Sequence, residues 1–448
     1  MAAGRPSRSS PRNKSTQIVS LLLLPIVAAP AALLASPQDD RIDAVESRLQ
    51  TLEQDNKRLS TELRDALDAL AEAEVVGGAN ATPFDPELTK TWAALAQRRL
   101  APRAAAVYTA DRLSFGGYGE FLAEEYNGRD DDRFDALRWV MYFGSRFSDR
   151  WIFNSEIEIE HGSTDAASAT TSSNGSVSIE FAYIDHLLTD QIALRGGVVL
   201  TPMGFVNERH EPTTFLPAAR PQTETRIIPS TWRAIGAGAY GQTGPFAWTA
   251  YAINGLAGGR FNASGLRGGR QKANRASSEN VALVGRVDYV DIPGVIAGIS
   301  AFQGNSGADQ PEGLGTTIVD LHAEWNEGPW NVRGLFAQAD VDDTAAFNAR
   351  TGEALAERLE GWYIEAGFDL LSLTDDYANQ TLDVFFRYED IDTQAKMAPG
   401  TPAGGGVDDT FLTYGLNYRP LDQVVLKLDY TDVDEGNDVV RALIGYAF

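Results

Sequence analysis

The chain has 448 residues, with 62 acidic against 38 basic side chains and a formal net charge of −24. That balance argues against nucleic acid as a partner, because phosphate backbones call for basic surfaces. There is no cysteine, hence no thiol chemistry, and no internal run reaches the ~20 apolar residues of a membrane helix; any membrane span must be built from strands.

The first predicted element is an export signal over residues 1–36. Arg5, Arg8, Arg12 and Lys14 precede an apolar run at 18–34, and the small Ala35 and Ser36 lead into Gln38, Asp39 and Asp40. This is the layout of a cleaved signal peptide; a retained anchor is the alternative. Residues 37–76 form the next unit. Within them Ile42, Leu49, Asn56, Leu63 and Leu70 repeat every seven residues, with Val45, Leu52, Leu59 and Ala66 between them. A 3.5-residue period specifies a left-handed coiled coil, and a polar Asn56 in the seam fixes register. A single amphipathic helix is the competing reading. At ~1.5 Å per residue the coil spans ~50 Å, a fit to a periplasmic stalk. Residues 77–110 read as a linker, broken by Gly77, Gly78, Pro83 and Pro86, with a short helix over 87–105 of no readable role.

From Leu113 onward the apolar period changes to two. Leu382, Val384, Phe386 and Tyr388 share one face of a segment whose other face carries Asp383, Arg387 and Glu389. Leu412, Tyr414, Leu416 and Tyr418 alternate with Thr413, Gly415 and Asn417, and Val424, Leu426, Leu428 and Tyr430 with Lys427 and Asp429. Charges on one face and aromatics toward the ends of the other are the dyad pattern of a membrane barrel. About sixteen such segments run from 113–126 to 437–448, with short turns after the even-numbered ones and mostly longer segments after the odd-numbered ones. The last ends in Tyr446 and Phe448 after Val440, Ala442 and Ile444, an alternation that looks like a signal for the barrel-assembly machinery. The fold class expected over 111–448 is an all-β transmembrane barrel of about sixteen antiparallel strands, preceded by the helical coiled coil.

Three stretches carry a family likeness: Ala182-Tyr183-Ile184-Asp185 on one strand, Gly197 with Pro202 and Gly204 leading into the third long loop, and Arg233-Ala234-Ile235-Gly236 after it. In these the chain resembles the phosphate-selective porin O/P family over 111–448. The resemblance implies a homotrimeric 16-stranded channel whose third external loop folds inward to narrow the pore. The family's phosphate selectivity goes with a lysine-rich constriction. Here residues 201–230 contain no lysine and carry Glu208, Arg209, His210, Glu211, Arg220, Glu224 and Arg226 instead.

A porin's chemistry is an electrostatic field across its narrowest point. Glu208, Arg209, His210, Glu211, Arg220, Arg226 and Arg233 are the candidate constriction. Strand alternation puts Arg138, Arg195, Arg286, Arg333 and Arg387 on the lumen wall, with Arg146, Glu156, Glu158, Glu160, Asp320, Glu324 and Glu365. A solvated loop crown is the plain alternative for the loop residues. Arg260, Arg267, Arg270, Lys272 and Arg275, among Gly, Asn and Ser in 258–277, form either an anion-gathering vestibule, a surface loop or a trimer contact. Asp130, Asp131 and Asp132 read as an acidic turn, with cation binding beside lipopolysaccharide as the rival account.

Catalysis finds little support. Gly236, Gly238 and Gly241 match G-x-G-x-x-G without a following helix and acid. His161, His186, His210 and His322 lack metal-ligand spacing, so no metal or cofactor is expected. The sequence therefore predicts a non-enzymatic outer-membrane porin, passing small hydrophilic solutes and ions with a modest anion bias. Its partners would be outer-membrane lipid, lipopolysaccharide, the assembly machinery and two further copies of itself. The alternatives are a phosphate- or polyphosphate-selective channel, and a tether from outer membrane to peptidoglycan through the periplasmic coil.

Overall fold

The computed structural model describes residues 54, 85–129, 132–164, 175–307, 310–374, 377 and 379–448. The predicted signal peptide, the coiled coil, Asp130 and Asp131 lie outside them. Among the described residues sixteen strands run antiparallel and close into one barrel. They are β1 (Leu113–Tyr126), β2 (Arg133–Arg146), β3 (Trp151–Glu160), β4 (Ser176–Leu187), β5 (Ile192–Leu200) and β6 (Arg233–Thr243). Then follow β7 (Phe246–Asn254), β8 (Val281–Tyr289), β9 (Val295–Asn305), β10 (Gly315–Glu327) and β11 (Trp330–Val341). The last are β12 (Arg358–Asp369), β13 (Thr381–Lys396), β14 (Asp408–Leu421), β15 (Val424–Val433) and β16 (Val439–Ala447). Each pairs with its sequence neighbours, and β1 pairs with β16 from Tyr118↔Ala447 to Tyr126↔Val439 to shut the ring. No described helix is long and apolar enough to cross a membrane.

The period-two pattern dictates two opposite surfaces. On β13, Val384 and Phe386 are exposed outward while Asp383, Arg387 and Glu389 are buried inward. On β15, Leu426 and Leu428 face out and Lys427 and Asp429 face in. The outer face is therefore an apolar belt and the interior is polar, the reverse of a soluble protein. A sheet edge would expose unpaired backbone groups; closure leaves none. The short connections, 147–150, 188–191, 244–245, 290–294, 328–329 and 422–423, gather at one rim, with 370–380 as the longer exception. The odd-numbered strands end at the other rim, where the long connections begin.

The interior is packed by three pieces of chain. At the short-turn rim, α1 (Pro86–Arg99) and α2 (Pro102–Ala105) lie inside the barrel, continuing through a 3₁₀ turn at Ala106–Tyr108 into β1. Residues 85–110, read from the sequence as a linker ahead of the barrel, thus belong to its body, and the helix predicted over 87–105 forms in two parts. Asp85 caps α1 by accepting from Glu87 and Leu88 N–H at 3.0 and 3.4 Å. Leu88, Trp92, Leu95, Ala96 and Leu100 make one buried stripe at helical spacing. Ala101 before Pro102 is extended, ending the first helix.

The second piece is the third long loop, 201–232, which turns inward as the family resemblance implies. The third is the fourth long loop, 255–280, which also turns inward. Thr393 of β13 donates to Ala263 O at 2.7 Å, and Leu266 N–H donates to Arg226 O at 2.9 Å. The fourth loop therefore lies across the third.

Candidate functional site

The third loop is suspended from the barrel wall by bonds to its own backbone. Arg333 donates to Thr214 O at 3.1 Å, Arg387 to Ala219 O at 3.1 Å, and Lys427 to Phe215 O and Pro217 O at 2.8 and 2.9 Å. Arg286 donates to Gly204 O. In the other sense, Asp429 accepts from Ala218 N–H at 2.6 Å and Glu389 from Thr223 N–H at 2.5 Å. Inside the loop, Glu224 accepts from Phe205 and Val206 N–H at 2.7 and 2.8 Å and from the Tyr363 hydroxyl at 2.6 Å. Burial pushes the Glu224 carboxyl pKa up, and those three donors oppose the rise.

All five predicted lumen-wall arginines do face inward, and each is paired. Arg138 lies 3.4 and 3.5 Å from Glu120 and Glu158, Arg286 2.9 Å from Asp288, and Arg333 3.2 Å from Glu365. Arg387 is 3.5 Å from the same Glu365. Arg195 grips Asp185 with two bonds of 2.8 and 2.9 Å and stacks on the Tyr183 ring. The sequence reading had these arginines facing loop three as a field; three of them hold that loop in place.

The predicted constriction residues separate into three groups. Arg209 makes a two-pronged pair with Glu324 at 3.0 and 3.1 Å and reaches a cavity of about 390 Å³ at the short-turn rim. Arg226 lines a cavity of about 610 Å³ on the long-loop side. The others are spoken for. Glu208 accepts from Arg99 at 3.4 Å, His210 is 3.2 Å from Glu156, and Glu211 accepts from Arg103 N–H at 2.9 Å. Arg233 pairs with Glu180, and Arg220 reaches the Thr231 hydroxyl at 3.4 Å. Tyr446 and Phe448, read from the sequence as an assembly signal, sit on the seam, where Phe448 and Gly117 exchange backbone bonds of 2.8 and 3.0 Å.

The long-loop cavity is the clearest chemical feature. Its charged lining is Arg226 from loop three with Arg260, Arg267, Arg270 and Lys272 from loop four; no carboxylate among the described residues lines it. The remaining lining is Gly, Ser, Thr, Asn and Gln. Burial depresses the Arg267 pKa to about 9, with the nearby Arg270 and Arg220 adding repulsion. Burial likewise lowers Arg270 to about 10. Five clustered cations attract anions, with the charges of Glu160 and Glu180 acting on Arg270 and Lys272 in the opposite sense. Sequence reasoning placed four of these five residues together in one loop. It missed their meeting with Arg226, because nothing local encodes the contact between loops.

Sixteen closed strands, an apolar exterior and inward-folded loops define a porin-type β-barrel. OmpF of Salmonella typhi, solved with daunomycin, superposes with a TM-score of 0.50 at 13% identity, over 75% of this chain and 97% of OmpF. An anion-selective porin from Comamonas acidovorans aligns with a TM-score of 0.47 at 13% identity, over 75% and 99%. No family model matches the chain. An uncharacterized protein of Aquifex aeolicus (strain VF5) is 34% identical over 384 residues, spanning 81% of this chain and 85% of its own. The chain belongs to the same family as that Aquifex protein.

Proposed function

We propose that the protein is an outer-membrane channel for small hydrophilic solutes, with a preference for anions. The observation that carries the anion preference is the five-cation lining of the long-loop cavity, without a carboxylate among the described residues, at the external mouth. Solutes entering there meet a positive field before the mixed charges of the wall, and a low-dielectric cleft concentrates ions of opposite sign. The overall acidity of the chain favours cations, so the sign of selectivity is the decisive measurement.

The barrel works as a homotrimer in this reading. Its support is an asymmetry of the outer face. Ala237 and Ala239 on β6, Ala250 and Ala252 on β7, Gly285 on β8 and Ala301 on β9 lie in adjacent registers. Elsewhere the belt carries bulky Trp362, Phe386, Leu416 and Leu428. Small side chains give a flat patch suited to a neighbouring barrel.

The test is a reversal potential across a planar bilayer under a potassium chloride gradient. The wild-type chain is expected to favour chloride, and Arg260→Glu with Lys272→Glu to cut the chloride preference ~3-fold or more. A cation-favouring wild type overturns the anion reading. In the same bilayer, block of chloride current by low concentrations of phosphate would assign a phosphate-selective channel instead.

A further inference from the structure

Residues 85–110 occupy the short-turn mouth, and their contacts are one-sided. Tyr108 donates to Asp185 of β4 at 2.5 Å, and Asn154 of β3 donates to Ala104 O at 2.8 Å. Trp92 packs edge-on against Tyr240 of β6 at 5.5 Å. Arg99 reaches Asp288 of β8 at 3.8 Å and Glu208 of loop three at 3.4 Å. The other side of the segment faces open space. Gln97, Leu100 and Pro102 form one wall of the cavity of about 390 Å³, whose opposite wall is Glu324, Arg333, Asp369, Asp383 and Arg419.

We infer that this segment is a resident insert that fills the β1–β8 half of the inner mouth and confines the exit to a crescent along β10–β14. Two features argue for residence rather than a gate. Its apolar stripe is buried, with Trp92 and Val107 almost wholly so, and withdrawing it would wet that surface. It is also tied to loop three, since Arg103 N–H and Arg99 bind Glu211 and Glu208. The insert thus sets both the width of the exit and the footing of the loop. The inference rests on the channel reading, and its experiment separates the two.

The chain has no cysteine, so a designed pair reports on the insert alone. A Cβ at Gly144 falls 2.8 Å from Val107 Cβ, so Val107→Cys with Gly144→Cys can bridge once the two backbones part by about 1 Å to the separation that a disulfide spans. In the full chain this disulfide is expected to form nearly completely, and conductance is expected to be the same oxidised or reduced. Gln97→Arg and Gln97→Glu, on the exposed face of the insert, are expected to move the chloride preference ~2-fold in opposite directions. A severalfold fall in conductance on locking would mean that the insert leaves the mouth when ions pass, and overturns residence. Unchanged selectivity in both Gln97 variants, with conduction intact, overturns the crescent exit while sparing the channel. A chain that forms the disulfide yet never conducts defeats the channel reading and the exit with it.

Discussion

Glu211 shows how one side chain can couple the insert to loop three. Burial pushes its carboxyl from the ordinary 4.5 to about 7; the charge of Glu156 adds to the rise, while the Arg103 N–H bond and His210 oppose it. A carboxyl with a raised folded pKa is favoured protonated, so stability falls as pH climbs from the ordinary value toward 7 and stays lower above it. Glu211→Gln keeps an acceptor for Arg103 and removes the ionisation. It should gain of order 1–3 kcal/mol at pH 8 and nothing near pH 4, read from urea midpoints at the two pH values. An equal midpoint for both chains at pH 8 would count against a buried, ionising Glu211. At this scale the facing of side chains was legible: a period of two fixes which residues look inward, and Arg138, Arg195, Arg286, Arg333 and Arg387 all do. Their partners were not. Lys427 binds carbonyls at Phe215 and Pro217, some two hundred residues away, and no local spacing encodes such a bond.

Among the elements, the strands were the most legible because each carries its own alternation and the turns mark every end. The helix read over 87–105 is there too, but as two pieces broken at Leu100 and Ala101. Its burial against Tyr240 was not legible, since an apolar stripe says that a partner exists without saying which. The fourth loop was harder still: its Gly, Asn, Ser and Arg composition left a solvated loop as open as a vestibule. The third loop's suspension supplies a prediction. Lys427→Met leaves Pro217 O without its donor and Phe215 O with only the 3.5 Å bond from Asn417, a cost of about 1–3 kcal/mol. Because the strand ladder of β15 is untouched, the barrel should persist while the loop loosens. Trypsin cleavage at Arg209 or Arg226 of the folded protein should quicken, and an unchanged cleavage rate would show that Lys427 does not hold the loop.

For the molecule as a whole, the sequence's −24 charge and its apolar exterior follow from one division of labour, in which water-facing chemistry is folded inside. The alanine-rich patch on β6–β9 interrupts the bulky belt. If it seats a second barrel, Ala250→Trp should convert trimers to monomers in native mass measurements in detergent, while each barrel keeps its β-sheet circular dichroism. A trimer that survives this change would place the interface elsewhere. Trimer contacts were not legible from alternation, which separates lipid-facing from lumen-facing positions but does not distinguish a lipid from a neighbour.

The interior filling is shared unevenly along the chain. The insert leans on Asn154, Asp185, Tyr240 and Asp288, all within β3–β8, whereas loop three hangs mostly from Arg333, Tyr363, Arg387, Glu389, Lys427 and Asp429 within β11–β15, with Arg286 of β8 and Glu156 of β3 reaching it from the other side. The insert thus belongs to one half of the wall, while loop three spans both. Where β16 pairs with β1 the ring closes around both pieces of filling, and Glu208 and Glu211 are the rivets between them.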